Sequence, residues 1–213
     1  MKINEIETPA LILDKQTFEY NLERMDQLLE GTTMKLRPHY KSNKCAEIAK
    51  LQIKRGAAGI TCAKLGEAED LAKAGIENIL IANQVVQPFK VKRVAELAKD
   101  HYIIICVDDK DNIKALSDAA VEAGSQIHVL VEYEVGMKRC GVDTYDEFIE
   151  LAELIDKSEG LIFEGIQAYG GHMAHEHSLE TRIAETNRIE NEVRELKALL
   201  EANGLKVKEV GGG

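Results

Sequence analysis

The sequence predicts an α/β chain folded as a (β/α)8 TIM-type barrel that is left incomplete, with about seven barrel strands present. Three observations predict it. Short runs rich in Ile and Val alternate with amphipathic helical stretches along most of the 213 residues, as parallel strands joined by crossover helices require. No GxGxxG follows an early strand, which argues against a doubly wound dinucleotide fold. Finally, the chain is shorter than the roughly 250 residues of a complete barrel. It stops on "EVGGG", directly after a strand, as a fragment of a longer product would.

The elements follow in order. "PALIL" (residues 9–13) reads as an opening strand. Asp14 is then a good N-cap for a helix with Phe18, Leu22, Met25 and Leu29 on one face and Gly31 beyond its end. Barrel strands are expected in "MKLRPHY" (34–40), "AAGITCA" (57–63), "NILIAN" (78–83) and "YIIICV" (102–107). Three more are expected in "IHVLVE" (127–132), "IFEGIQAY" (162–169) and "VKEV" (207–210). Gly56, Gly75 and Gly124 close intermediate helices. The last helix carries the stripe Leu179, Ile183, Val193, Leu196 and Leu200, a Glu190–Arg194 pair, and Gly204 at its end. No linker or low-complexity segment divides residues 1–213, so a single domain is expected.

Composition narrows the partners. A formal net charge of −10 repels nucleic acid and anionic membranes and directs attention to small molecules. The four cysteines lie far apart with no CxxC, as in a cytoplasmic protein with reduced thiols. The first nine residues are polar, unlike a signal peptide, and no apolar run approaches the length of a membrane span.

Barrel chemistry gathers at the C-terminal ends of strands. That rule selects His39, Lys41, Asn83, Arg139, Gln167, Tyr169 and the glycines Gly211, Gly212 and Gly213. A lysine in a partly apolar barrel mouth loses hydration and becomes nucleophilic, which suits Lys41 to a Schiff base. Taken alone, Lys41 and Lys44 read more readily as solvated loop residues, because surface lysines are common. The glycines, unless they are a flexible end, form a side-chain-free nest for phosphate. A Schiff-base lysine with a phosphate nest describes a pyridoxal phosphate enzyme. Arg139, between Gly136 and Gly141, is either aimed inward at a phenolate or carboxylate or is an ordinary loop arginine. His172, His175 and His177 in "GGHMAHEH" lack an established ligand spacing. They are read as a non-metal loop, with His172 as a substrate-pocket residue.

Several segments carry a resemblance to one family: "TPALILD", the long stretch from "RPHYKSNKC" to "NILIANQVV", "GMKRCG", "GIQAYGG" and the final "VGGG". Together they resemble the D-threonine aldolase and D-serine dehydratase family, within the alanine racemase-like, fold-type III pyridoxal phosphate enzymes. The resemblance runs from about Thr8 to the last residue. It implies that Lys41, the lysine of "RPHxK", holds the cofactor, with His39 beside it. Arg139 is expected to approach the cofactor's phenolic oxygen, Gln167 and Tyr169 to lie against the cofactor, and Gly211–Gly213 to begin the phosphate loop. Asn43 departs from the family's histidine. The resemblance further implies a C-terminal β-domain, not present in this sequence, that carries the ligands of a divalent metal; no metal ligand is assigned within residues 1–213. The implied reaction is retro-aldol cleavage of a small D-3-hydroxy amino acid to glycine and an aldehyde, by a homodimer typical of the fold type. Dehydration, racemisation and a non-enzymatic carrier role are the alternatives.

Overall fold

The computed structural model describes residues 2–212. Within them lie six strands, β1 (Ile60–Cys62), β2 (Asn78–Ile81), β3 (Tyr102–Val107), β4 (Ile127–Glu132), β5 (Leu161–Ala168) and β6 (Glu209–Gly212). They form one sheet in chain order, every neighbouring pair parallel. The seven helices are α1 (Lys15–Leu29), α2 (Ala46–Lys54), α3 (Leu65–Lys73), α4 (Pro88–Leu97), α5 (Lys110–Ala123), α6 (Tyr145–Lys157) and α7 (Leu179–Ala202). The sheet curls into an open parallel half-barrel of six strands with helices on its convex side, where the sequence predicts an incomplete barrel of about seven.

Each strand divides its side chains between two surfaces. Ile79, Ile81, Ile103, Ile105, Val129 and Val131 join the large core under the helices. The alternate residues Leu80, Ile104, Cys106 and Leu130 form a small cluster inside the curl. A side-chain period of two makes this partition automatic once the register is set. The inner surface turns polar toward the strands' N-terminal ends. There Glu164 accepts from Tyr102 (2.8 Å) and Lys208 (3.0 Å) and pairs with His128 Nδ1 (2.5 Å), the His128 ring stacking on Tyr102.

Two predicted strands are corrected. "PALIL" enters no sheet: Leu11 is 99 % exposed, with Ile12 and Leu13 more than half exposed. β-rich composition does not make a strand without a neighbour to complete its ladder. "MKLRPHY" runs beside β1 but holds only an isolated bridge, His39 to Thr61. Its contacts are Ala58 N–H to Leu36 (2.9 Å), Thr61 N–H to Pro38 (2.8 Å) and Tyr40 N–H to Thr61 (2.7 Å). Pro38 faces β1 without an N–H to donate, so the ladder is interrupted there.

The helix assignments hold more closely. Asp14 caps α1 by accepting from Thr17 N (2.8 Å), and the four stripe residues Phe18, Leu22, Met25 and Leu29 are its half-buried positions. Gly124 ends α5 in the left-handed region (φ 69°). The Glu190–Arg194 pair forms on α7. The stripe of α7 is buried only from Ile189 onward, through Val193, Leu196 and Leu200, whereas Leu179 and Ile183 are exposed. A helix of 24 residues is about 36 Å long, so its first turns project beyond the sheet.

Candidate active site

The C-terminal ends of the strands and the gap between the two edges of the sheet share a cleft of about 1100 Å³. His39, Lys41, Asn83, Arg139, Gln167, Tyr169, Gly211 and Gly212 all line it. The cleft extends down between residues 33–41 and β6. Gly213 lies outside the described residues.

The turn after the His39 bridge separates the two lysines. Lys44 adopts φ 46° and its ammonium donates to Glu67, a buried carboxylate that also accepts from Ala63 N (2.8 Å). Burial alone would raise the Glu67 carboxyl, but these hydrogen bonds outweigh it and hold it below the usual range. Lys44 is therefore committed to α3, not the free solvated residue its sequence position suggests. The Lys41 amine lines the cleft and has no hydrogen-bond or ion-pair partner among the described residues. It is exposed rather than partly buried, so the dry barrel mouth expected to activate it is not formed by this chain. Asn43 accepts from Cys45 N (2.9 Å), just ahead of α2, which accounts for an Asn at that position.

His39 Nδ1 accepts from Lys41 N (3.1 Å). Burial, then the nearby Lys41 charge, pushes the imidazole below its ordinary range. The ring is thus neutral near pH 7, with its proton on Nε2. Asn83 is a brace: its amide donates to Ala63 O (3.0 Å) and its carbonyl accepts from Gln84 N (3.0 Å).

Arg139 sits in a loop whose glycines are required. Gly136 and Gly141 have φ of 128° and 102°, and a Cβ on Gly141 would lie 2.8 Å from Glu134 N. The guanidinium carbon stands 5.3 Å from the Tyr169 ring centre, within cation–π range. Beneath it is a residue that the sequence reading omitted. Glu132 ends β4 facing the cleft, buried, 4.0 Å from Arg139 Nη2, and it accepts from Gln84 Nε2 (2.6 Å). Burial pushes its carboxyl up, against the Gln84 hydrogen bond and the Arg139 charge. The available signal was a carboxylate closing an otherwise apolar strand on the cleft side.

Gln167 is buried and its Oε1 has no partner among the described residues. Gly211 lies opposite it in the β5–β6 register, and a Cβ there would come within 2.7 Å of that oxygen. A Cβ on Gly212 would lie 2.5 Å from Ala168 O. These two glycines are extended members of β6, not the curved nest that the sequence suggests, because the ladder to β5 holds them straight. They provide a floor without side chains.

His172 does not line the cleft. Its Nε2 meets Glu185 (3.0 Å) and its ring packs on Gly136, while Arg188 donates to Val135 O (2.6 Å). The three residues brace the Arg139 loop against α7. His175 and His177 are exposed, and no group of three or more His, Cys, Asp or Glu among the described residues is arranged to hold a metal.

A parallel half-barrel presenting an unengaged lysine, an arginine and a bare glycine strand at its C-terminal rim defines a class of cofactor-binding barrel domains. Residues 13–211 match the family model of the alanine racemase N-terminal domain, and the chain belongs to that family. It is 39% identical over 215 residues to a 3-hydroxy-D-aspartate aldolase of Paracoccus denitrificans (strain Pd 1222), covering 100% of this chain and 56% of that protein. It is 38% identical over 208 residues to a D-threonine aldolase of an Arthrobacter species, covering 98% and 55%. The crystal structure of D-threonine aldolase from Filomicrobium marinum superposes with a TM-score of 0.96 at 40% identity, covering 99% of this chain and 57% of that one. The chain therefore spans about half the length of these relatives.

The family implies pyridoxal phosphate, and the cleft fits it. The unpartnered Gln167 Oε1 needs a donor, the Lys41 amine is available, and a Cβ on Gly211 would crowd the Gln167 oxygen.

Proposed function

We propose that residues 1–213 are the cofactor-binding barrel domain of a pyridoxal phosphate-dependent lyase acting on small D-3-hydroxy amino acids. The reaction is retro-aldol cleavage to glycine and an aldehyde. The observation that carries this reading is the division of labour between the lysines: Lys44 is bound to Glu67 while Lys41 reaches the cleft unengaged. Similarity to two aldolases with D-amino acid substrates in their names supports the substrate class.

Bound pyridoxal phosphate supplies an electron sink for the pair released when a bond to the substrate's α-carbon breaks. This chain's residues hold and orient. Lys41 is the covalent anchor. Neutral His39, carrying its proton on Nε2, offers a hydrogen bond into the cleft beside that anchor. Arg139, held over Tyr169 and near Glu132, would supply positive charge to an oxygen of the bound cofactor. The Gln167 carbonyl oxygen would accept from a donor on the cofactor or substrate, and Gly211 and Gly212 would hold the phosphate with backbone rather than side chains. A divalent metal, implied by the resemblance, takes its ligands from outside this set. The protein acts in the cytoplasm as a homodimer in this reading.

The test uses the full-length protein with D-threonine, 3-hydroxy-D-aspartate and D-serine, with and without chelator. Release of glycine and an aldehyde from the first two is expected. Keto acid and ammonia instead would assign a dehydratase; racemised substrate would assign a racemase. Cofactor binding with no turnover of any D-amino acid would assign a carrier.

A further inference from the structure

An ion pair links the segment 34–41 to β6. Arg37 Nη2 donates to both oxygens of Glu209 (2.8 and 3.1 Å), and Nη1 donates to Asn78 Oδ1 (2.5 Å). No backbone hydrogen bond connects residues 34–41 with β6 among the described residues. The Arg37 side chain is only 11% exposed and that of Glu209 30%, so the pair is partly shielded from water. Room for it is built into the backbone: a Cβ on Gly59 would overlap Arg37 Nη1 and lie 2.5 Å from Asn78 Oδ1. The start of β6 is thus held from both sides, by Lys208 on Glu164 toward β5 and by Arg37 across the gap.

The placement of this pair along the chain gives it a consequence for the cleft. Arg37 precedes Lys41 by four residues on one edge, and Glu209 precedes Gly211 by two on the other. We propose that Arg37 and Glu209 are positioning residues that set the span between the Lys41 amine and the glycine floor, and thereby select aldehydes that carry a phosphate. The inference rests on the cofactor site proposed above. In that site a bound cofactor would be held at two points, by Lys41 and by β6. A guanidinium that donates from Nη2 to both Glu209 oxygens and from Nη1 to Asn78 is directional enough to fix the distance between the segments bearing the pair. If that distance loosens, a ligand anchored at both points loses one of its contacts. A ligand anchored at Lys41 alone does not.

The test compares pyridoxal phosphate with pyridoxal, which lacks the phosphate. Binding to the full-length protein is followed by the visible absorbance of the adduct and by borohydride trapping with peptide mapping. Variants are Arg37→Ala, Glu209→Gln, the double variant, and Gly59→Ala, which displaces the guanidinium while keeping both charges. Each is expected to weaken pyridoxal phosphate about tenfold and pyridoxal by less than about twofold, as loss of one partner of a desolvated pair does. The double variant should be no weaker than either single one, because partners in one contact are not additive. Equal weakening of both aldehydes, as general destabilisation would cause, overturns the proposal, and so does additivity in the double variant. Trapping on a residue other than Lys41 overturns the cofactor site itself and this inference with it. Normal trapping at Lys41 with unchanged phosphate selectivity overturns the positioning role alone.

Discussion

The Lys44 ammonium is bound to the buried Glu67 carboxylate, a contact that ties the turn before α2 to the start of α3. Two lysines three residues apart in one turn are thereby given different work. Lys41→Ala should abolish borohydride-trapped cofactor, while Lys44→Ala should retain it. Lys44→Ala should instead lower stability by about 1–2 kcal/mol, since Glu67 loses a charged partner but keeps its backbone donor. Peptide mapping together with urea denaturation checks both halves; trapping at Lys44 would reverse the assignment.

Glu132 has a pH signature. Burial raises its carboxyl above the ordinary range, so the folded state binds that proton more tightly than the unfolded chain does. The charged form therefore costs stability above the folded-state value. Glu132→Gln should be more stable than wild type at neutral pH, with the gain disappearing as pH falls below the ordinary carboxylate range. Cofactor affinity should fall by at most about fivefold, because an ion pair with a half-exposed arginine is worth roughly 1 kcal/mol or less. Denaturation across pH and a cofactor titration measure the two effects separately.

The glycine floor is sensitive to a single methyl group. Gly212→Ala sets a Cβ against the Ala168 carbonyl oxygen, backbone on backbone, so β6 must shift. A stability loss of about 1–3 kcal/mol is expected, the usual cost of overpacking. Pyridoxal phosphate should weaken by a larger factor than pyridoxal. Gly211→Ala should be milder in stability, since its Cβ meets the end of the Gln167 side chain, which can turn away.

Acid should loosen the Arg139 loop. Arg188, then His172, holds the Glu185 carboxyl at about 2, below its ordinary 4.5. A carboxyl lowered on folding contributes its full stability above the ordinary value and loses it as pH drops toward the folded one. Wild type should therefore weaken between about pH 4.5 and 2. Glu185→Gln should start lower at pH 7 and lose less across that window, as read by urea denaturation at each pH.

Much of the fold was legible because buried parallel strands leave a plain trace. The runs 102–107 and 127–132 match β3 and β4 residue for residue, and 162–169 is one residue off β5. In β3, β-branched residues fill both faces of a strand covered on both sides, and in β4 Ile127, Val129 and Val131 fill the face under the helices. The failures share a cause. "PALIL" has the same composition but no neighbour, and Pro38 breaks a ladder that apolar periodicity alone predicts. At the site, His39, Lys41, Arg139, Gln167, Tyr169, Gly211 and Gly212 line one cleft. Glu132 escaped notice because a lone carboxylate at a strand end looks like surface until its burial is known. His172 looked like a site residue because its actual partner, Glu185, lies 13 positions away on α7.

By itself the sequence determined the alternation of strand and helix, the caps at Asp14 and Gly124, and the small set of residues that barrel ends could present. Those are local matters of periodicity, backbone preference and strand polarity, and neighbours along the chain carry them. Only the tertiary structure decided that Lys44 is committed to Glu67, that two glycines lie straight in a strand, and that Arg37 grips Glu209. These depend on distances between residues up to 172 positions apart, and on which charges burial forces together.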